Sequence, residues 1–125
     1  MHENEIATQI LDAAYRIHTE LGPGLLEAVY EAALEWELTQ AGLKVERQRG
    51  IPLVYRGAKL QEGFRADLIV ENKVIIEVKS LELVPPVAYK ILLTYLRLSD
   101  TRLGILINFR EEHLKDGIKR VVNKL

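Results

Sequence analysis

Apolar positions recur along this chain with two different periods, and the switches between them divide it into elements. Over residues 3–21, Ile6, Ile10, Ala13, Ala14, Ile17 and Leu21 fall at helical spacing. Gly22, Pro23 and Gly24 then predict an abrupt stop, because Gly22 suits a left-handed cap and Pro23 cannot continue the helix. A second helix is predicted over residues 25–41 and ends at Gly42. Its apolar side holds Leu25, Val29, Ala32, Ala33 and Trp36, broadened by Leu26, Leu34 and Leu38. Its polar stripe is Glu27, Glu31 and Glu35 at i, i+4 and i+8, a spacing mildly unfavourable to an isolated helix and suited to a solvated acidic face.

The period then shortens to two. Residues 43–46 and 51–55 predict a first strand and a hairpin arm, separated by Arg47, Gln48, Arg49 and Gly50. Residues 64–70 and 74–79 predict two further strands about the polar turn Glu71, Asn72, Lys73. Alternation puts Phe64, Ala66, Leu68 and Val70 on one apolar face with Val74, Ile76 and Val78. The other face carries Arg65, Asp67, Ile69, Glu71, Ile75, Glu77 and Lys79. A turn centred on Asn72 sets Asp67 opposite Glu77, where Cβ atoms lie about 4.5–5.5 Å apart and like charges are destabilising. A cation between them reverses that sign, whereas a solvated charged face needs none. Ile69 and Ile75 on the same face argue for a cover, and covered charges are paired or bind metal.

Pro85 and Pro86 break the strand and preset a helix over residues 87–98, with Ala88, Ile91, Leu92 and Tyr95 inward and Lys90, Thr94 and Arg97 outward. Residues 103–109, LGILINF, form a near-continuous apolar run suited to a strand buried on both faces. Strand, helix and buried strand in this order predict a parallel crossover. A last helix is predicted over residues 111–123, with Leu114, Ile118, Val121, Val122 and Leu125 on one face and Lys115, Lys119, Arg120 and Lys124 on the rest. The expected fold class is α/β: one domain, residues 1–125, with a mixed central sheet flanked by helices in the order α-α-β-β-β-β-α-β-α.

Composition narrows the chemistry. The 125 residues include no cysteine, which removes disulfides, thiol nucleophiles and cysteine-based zinc sites. His2, His18 and His113 lie far apart without metal-ligand spacing, so any metal should prefer oxygen. A net charge of −1 gives no whole-protein field for nucleic acid. Arg47, Arg49, Arg56, Lys59 and Arg65 form a local basic cluster that suits either phosphate contacts or a solvated loop. The first residues hold acids and no apolar signal core, and nowhere is an apolar run long enough to span a bilayer, so a cytoplasmic protein without membrane contact is expected.

Asp67, nine intervening residues, and then Glu77, Val78 and Lys79 on a hairpin followed by a helix and a buried strand resemble the PD-(D/E)XK nuclease superfamily. Ala66 stands where that pattern usually has proline. The segment Leu21-Gly22-Pro23-Gly24-Leu25-Leu26-Glu27-Ala28-Val29-Tyr30 is similar to the defining segment of the small bacterial GxxExxY family, with Gly24, Glu27 and Tyr30 as its named residues. LIVENKVIIEVKSLE, LLTYLRL and GILINF resemble its later segments in order. The resemblance implies a restriction-endonuclease-like core and a Mg²⁺-dependent nuclease, with Mn²⁺ as a substitute. Asp67, Glu77 and the Val78 carbonyl would hold the metal, and Glu27 would turn from the solvated stripe to join them. Lys79 would position the hydroxide and neutralise developing charge, with Tyr30 and Tyr95 as further site candidates. The implied partner is nucleic acid, DNA ahead of RNA; a homodimer or a protein partner is a further expectation. Relatives usually carry glutamine four residues before the tyrosine of the crossover helix, and this chain has Ile91 there. That departure keeps open a catalytically degenerate module of the same fold that binds nucleic acid or a protein partner.

Overall fold

Helix α1 spans Glu3–Leu21, where the periodicity places it, in a computed structural model that describes residues 1–125, the side chain of Glu62 excepted. His2 caps it by accepting the Asn4 amide at 3.0 Å while Glu5 accepts the His2 amide at 2.9 Å, a capping box built on histidine. Gly22, at φ 74, turns the chain out of the helix.

Helix α2 spans Glu27–Gln40 and is rotated from the expected orientation. It buries Tyr30, Glu31, Leu34 and Leu38, while Trp36 is 62% exposed and Leu25, Leu26 and Val29 also face outward. Apolar residues lie nearly all round this helix, so periodicity alone could not choose a face. Tyr30 decides it. Its ring stacks on Phe109 at 4.3 Å, and its hydroxyl donates to the Gly22 carbonyl at 2.6 Å and accepts the Leu25 amide at 3.1 Å.

The described residues form a five-stranded mixed sheet in the order β1-β2-β3-β4-β5, made of Val45–Tyr55, Ala58–Val70, Val74–Lys79, Leu103–Asn108 and Ile118–Val122. The turn centred on Asn72 gives the register Leu68↔Ile76, Ile69↔Ile75 and Val70↔Val74. Helix α3, Val87–Leu98, crosses over from β3 to β4, which pair in parallel. Two expected elements are corrected. Residues 45–55 are one continuous strand, in which Arg47, Arg49 and Gly50 pair with Leu68, Ala66 and Arg65 across a kink at Gln48. The last helix is replaced by a 3-10 turn, Leu114–Gly117, and the edge strand β5. β4 is buried along its whole length and already pairs with β3 on one edge, so its other edge needs backbone partners that a helix cannot supply. β5 provides them from Leu103↔Val122 to Ile107↔Ile118.

Helices α1 and α2 cover one sheet face, packing on Leu68, Val70, Val74, Ile76 and Val78. Helix α3 covers the other, where Leu92 and Leu96 pack on Ile69, Ile75 and Leu106, so the charged face of the hairpin does have a cover. Phe64 and Ala66, expected with Leu68, lie instead on the α3 side, Phe64 stacked on Tyr95 at 4.0 Å. Strict alternation breaks between Ala66 and Leu68, opposite the Gln48 kink. Ile91, expected in the core, is 43% exposed. Gly104, paired with Ile75, lies directly beneath Leu92, and a Cβ there would stand 3.0 Å from Leu92 Cγ. Among the described residues no helix is long and apolar enough to cross a membrane.

Candidate active site

Glu77 and Lys79 are alternate residues of β3 and project from one face, and Asp67 reaches the same strand from β2. The paired register stops at Leu68↔Ile76, and Asp67 Oδ2 then accepts the Val78 amide at 2.8 Å. Glu77 is 9% exposed, and its Oε1 is buried with no hydrogen-bond partner. Burial first, and the Asp67 charge second, push the Glu77 pKa up to about 8, with Lys79 opposing them. Glu77 and Lys79 line a cavity of about 140 Å³ closed by Ala88, Ile91, Leu92, Tyr95 and Leu106. The Tyr95 hydroxyl titrates above its ordinary value because of burial and then the Glu77 and Asp67 charges, so it stays a proton donor.

Buried Asn108 fixes the chain just beyond this site. Its amide donates to the Leu81 carbonyl at 2.8 Å and its oxygen accepts the Leu81 amide at 3.0 Å, while the Phe109 amide donates to the Lys79 carbonyl at 2.9 Å. The pattern of the chain did not single out Asn108, although a polar residue inside LGILINF was a signal.

Glu27 begins α2 and lines a neighbouring cleft with Gly24, Leu25, Ser80 and Arg110, where Ser80 Oγ donates to the Leu25 carbonyl at 2.6 Å. Among the described residues no three carboxylates or imidazoles are gathered to hold a metal, so Asp67 and Glu77 stand as a pair. The α2 carboxylate that communicates with Asp67 is Glu31. It is buried, pairs with Arg47 at 3.3 Å and accepts Gln48 Nε2 at 2.8 Å, and the same Nε2 lies 3.4 Å from Asp67 Oδ1. Gln48 holds φ 52 within a strand, an unfavourable conformation for a non-glycine residue, and Arg65 donates to its carbonyl at 2.7 Å. Helical spacing alone groups Glu31 with a solvated stripe; its place beside Tyr30 on the buried side of α2 sets it apart. Tyr30 itself touches core and loop backbone, not the cavity.

An orphaned buried carboxylate oxygen beside a second carboxylate suits a divalent cation, and the all-oxygen donor set suits Mg²⁺ or Mn²⁺ better than a soft metal. A mixed sheet with a covered hairpin carrying Asp67, Glu77 and Lys79 defines a restriction-endonuclease-like protein. The profile of the PD-(D/E)XK nuclease superfamily matches residues 4–121, and the chain belongs to that superfamily. No curated protein matches the sequence. Among solved structures, the crystal structure of SSO0001 is similar, with a TM-score of 0.56 and 22% identity over 98% of this chain and 60% of that one. This chain therefore spans about three fifths of that protein, and the likeness shows the fold.

Proposed function

We propose that the protein is a Mg²⁺-dependent phosphodiesterase that hydrolyses nucleic acid, DNA ahead of RNA, with Mn²⁺ able to substitute. The observation that carries this reading is Glu77 Oε1, buried without a partner beside Asp67 and in one cavity with Lys79. A structural carboxylate in that position leaves an acceptor unsatisfied at a cost of about 1–3 kcal/mol, and a bound cation offsets it.

Asp67 and Glu77, with the Val78 carbonyl, would hold the ion; Glu27, which lines the neighbouring cleft and is not gathered with them, would reach it only through water. When bound, the ion supplies charge neutralisation on the phosphate and acidifies a water. The chain's own residues do the rest. The Val78 amide fixes one Asp67 oxygen at 2.8 Å, and the other, held only by the 3.4 Å contact from Gln48 Nε2, would turn to the ligand. Glu77 gives up its proton to bind. Lys79 brings its ammonium group to the cavity, where it orients the attacking water and stabilises charge as the new P–O bond forms and the old one breaks. Tyr95, still protonated, offers a hydrogen-bond donor to a phosphate oxygen. Membership of the GxxExxY family, supported by Gly24, Glu27 and Tyr30, is part of this proposal, as is a bacterial cytoplasmic setting.

Calorimetric Mn²⁺ titration of the wild type beside Asp67→Ala, with folding checked by circular dichroism, tests the metal site. Cleavage assays on Asp67→Asn, Glu77→Gln and Lys79→Ala then test catalysis. Metal binding lost with Asp67→Ala and cleavage lost in all three is the expected result; full activity in all three would sink the assignment. Ile91 and the absence of a three-ligand group among the described residues favour a second reading, a degenerate module that binds nucleic acid or a protein partner. Nucleic-acid or partner binding without Mg²⁺ or Mn²⁺ affinity would select it.

A further inference from the structure

We propose that the outer part of the β1–β2 hairpin, residues 53–60, is an arm that docks in the major groove of duplex DNA about one helical turn from the candidate active site. The inference rests on the nucleic-acid reading above and assigns it a surface. β2 pairs with β3 only over Leu68–Val70, so beyond the site β1 and β2 continue as a two-stranded ribbon, with Leu53↔Leu60, Val54↔Lys59 and Tyr55↔Ala58 paired. The major groove is about 12 Å wide and admits such a ribbon.

The tip is chemically unusual. Arg56 at φ 50 and Gly57 at φ 80 form the two-residue turn, and both positive values fit type I′ geometry. Asparagine is the favoured first residue of that turn. This chain places arginine there, with its guanidinium 5.7 Å from the centre of the Tyr55 ring. Val54 is 66% and Tyr55 59% exposed, so the arm offers aliphatic and aromatic contact surface beside its cations. Residues 47–65 carry five cations and one acid in a chain whose net charge is −1. No described carboxylate pairs with Arg56, Lys59 or Arg65. The patch is complementary to a polyanion, whereas a second copy would bring like charges together.

Geometry relates the arm to the site. Ala58 lies nine residues before Asp67 on β2, at most about 30 Å along the strand at roughly 3.3 Å per residue. That reach covers up to about nine nucleotides at roughly 3.4 Å per nucleotide, just under one helical turn, which is enough to carry the tip to the next exposure of the major groove. A register shift between Ile51 and Leu53 bends the ribbon, and Gly63 makes the bend possible: a Cβ there would stand 2.9 Å from the Ile51 carbonyl oxygen and from Leu53 Cβ.

The test is fluorescence anisotropy of labelled duplexes of about 24 and about 8 base pairs, titrated across salt with the full chain and with Arg56→Asn/Lys59→Gln. The Arg56→Asn change installs the residue type that this turn prefers, so lost binding cannot be blamed on an unfolded arm. On the long duplex the slope of log affinity against log salt should fall by about 2 in the variant, at about 0.9 per lost phosphate contact, with affinity down about tenfold or more. On the short duplex the two proteins should agree. An unchanged slope on the long duplex overturns the arm, as does a sedimentation shift showing that the variant has lost self-association instead. An arm-dependent slope without cleavage of any substrate overturns the nuclease reading alone. No duplex binding at about 50 mM salt overturns the arm alone, and no cleavage of duplex, single-stranded DNA or RNA with Mg²⁺ or Mn²⁺ overturns the nuclease reading.

Discussion

The Val78 amide donates to Asp67 Oδ2 at 2.8 Å, so the candidate metal-binding aspartate also stands in for the backbone bond that would have continued the β2–β3 ladder. Asp67→Ala removes both roles and leaves a buried N–H unpaired, at about 1–3 kcal/mol of stability. Asp67→Asn keeps an acceptor oxygen and loses the charge. The asparagine variant should unfold within about 1 kcal/mol of wild type in denaturant and fail to bind Mn²⁺, while the alanine variant fails on both counts. Equal destabilisation of the two would show that the Val78 bond has no structural share.

Glu77 gives the metal-free protein a pH signature. Its folded pKa of about 8 exceeds the ordinary 4.5, so between those values the folded chain holds a proton that the unfolded chain has released. Stability contributed by that retained proton is fully present below about pH 4.5 and is lost as pH rises through about 8. The total loss is on the order of 5 kcal/mol, at about 1.4 kcal/mol per pKa unit. Glu77→Gln cannot ionise and should lack this component. Urea unfolding at pH 5 and pH 8.5 in a metal chelator checks it; a parallel decline in wild type and variant would refute the assignment.

Tyr30→Phe keeps the ring stacked on Phe109 but deletes the hydroxyl that bonds both Gly22 and Leu25. The loss should be about 1–3 kcal/mol by chemical denaturation. Mn²⁺ affinity should change little, because Tyr30 does not line the Glu77 cavity. A large fall in metal affinity at unchanged stability would instead make Tyr30 part of the site.

Ile91 lines that cavity yet is 43% exposed, so Ile91→Gln should cost less than about 1 kcal/mol of stability by thermal unfolding. Placed beside Glu77, Lys79 and Tyr95, the amide adds a hydrogen-bonding group at the mouth of the site. Cleavage by the variant should exceed that of wild type by about tenfold, the equivalent of one positioned interaction near 1.4 kcal/mol. Equal rates would show that the isoleucine is no impediment.

Much of this architecture was legible because it depends on local periodicity and on turns. The Asn72 register followed from the polar turn, and Ile69 and Ile75 announced the cover that α3 provides. What escaped depends on distant partners. The rotation of α2 is set by Phe109 and by a loop carbonyl bonded to Tyr30, neither visible in the spacing of its own residues. The edge strand β5 answers the needs of β4, and its run Ile118, Lys119, Arg120, Val121, Val122 fits a helical stripe equally well. Asp67, Glu77 and Lys79 were legible as neighbours because the Asn72 turn folds β2 back beside β3, although Asp67 lies beyond the last paired residues and reaches β3 through the Val78 amide. Glu31 and Gln48 were not, since their connection to Asp67 needs a helix turned by Tyr30 and a strand kinked at φ 52.

Gly104 carries a consequence for the height of the cavity above the carboxylates. Leu92 rests on it, and Leu92 belongs to the same helix as Ile91 and Tyr95. The missing methyl group therefore acts as a spacer gauge: it lets the roof of the site settle onto the sheet, and its thickness is set on β4, one strand over from Glu77 and two from Asp67. An alanine at that position would lift the roof by a few tenths of an ångström without touching a charged group, and it would loosen the chamber from below.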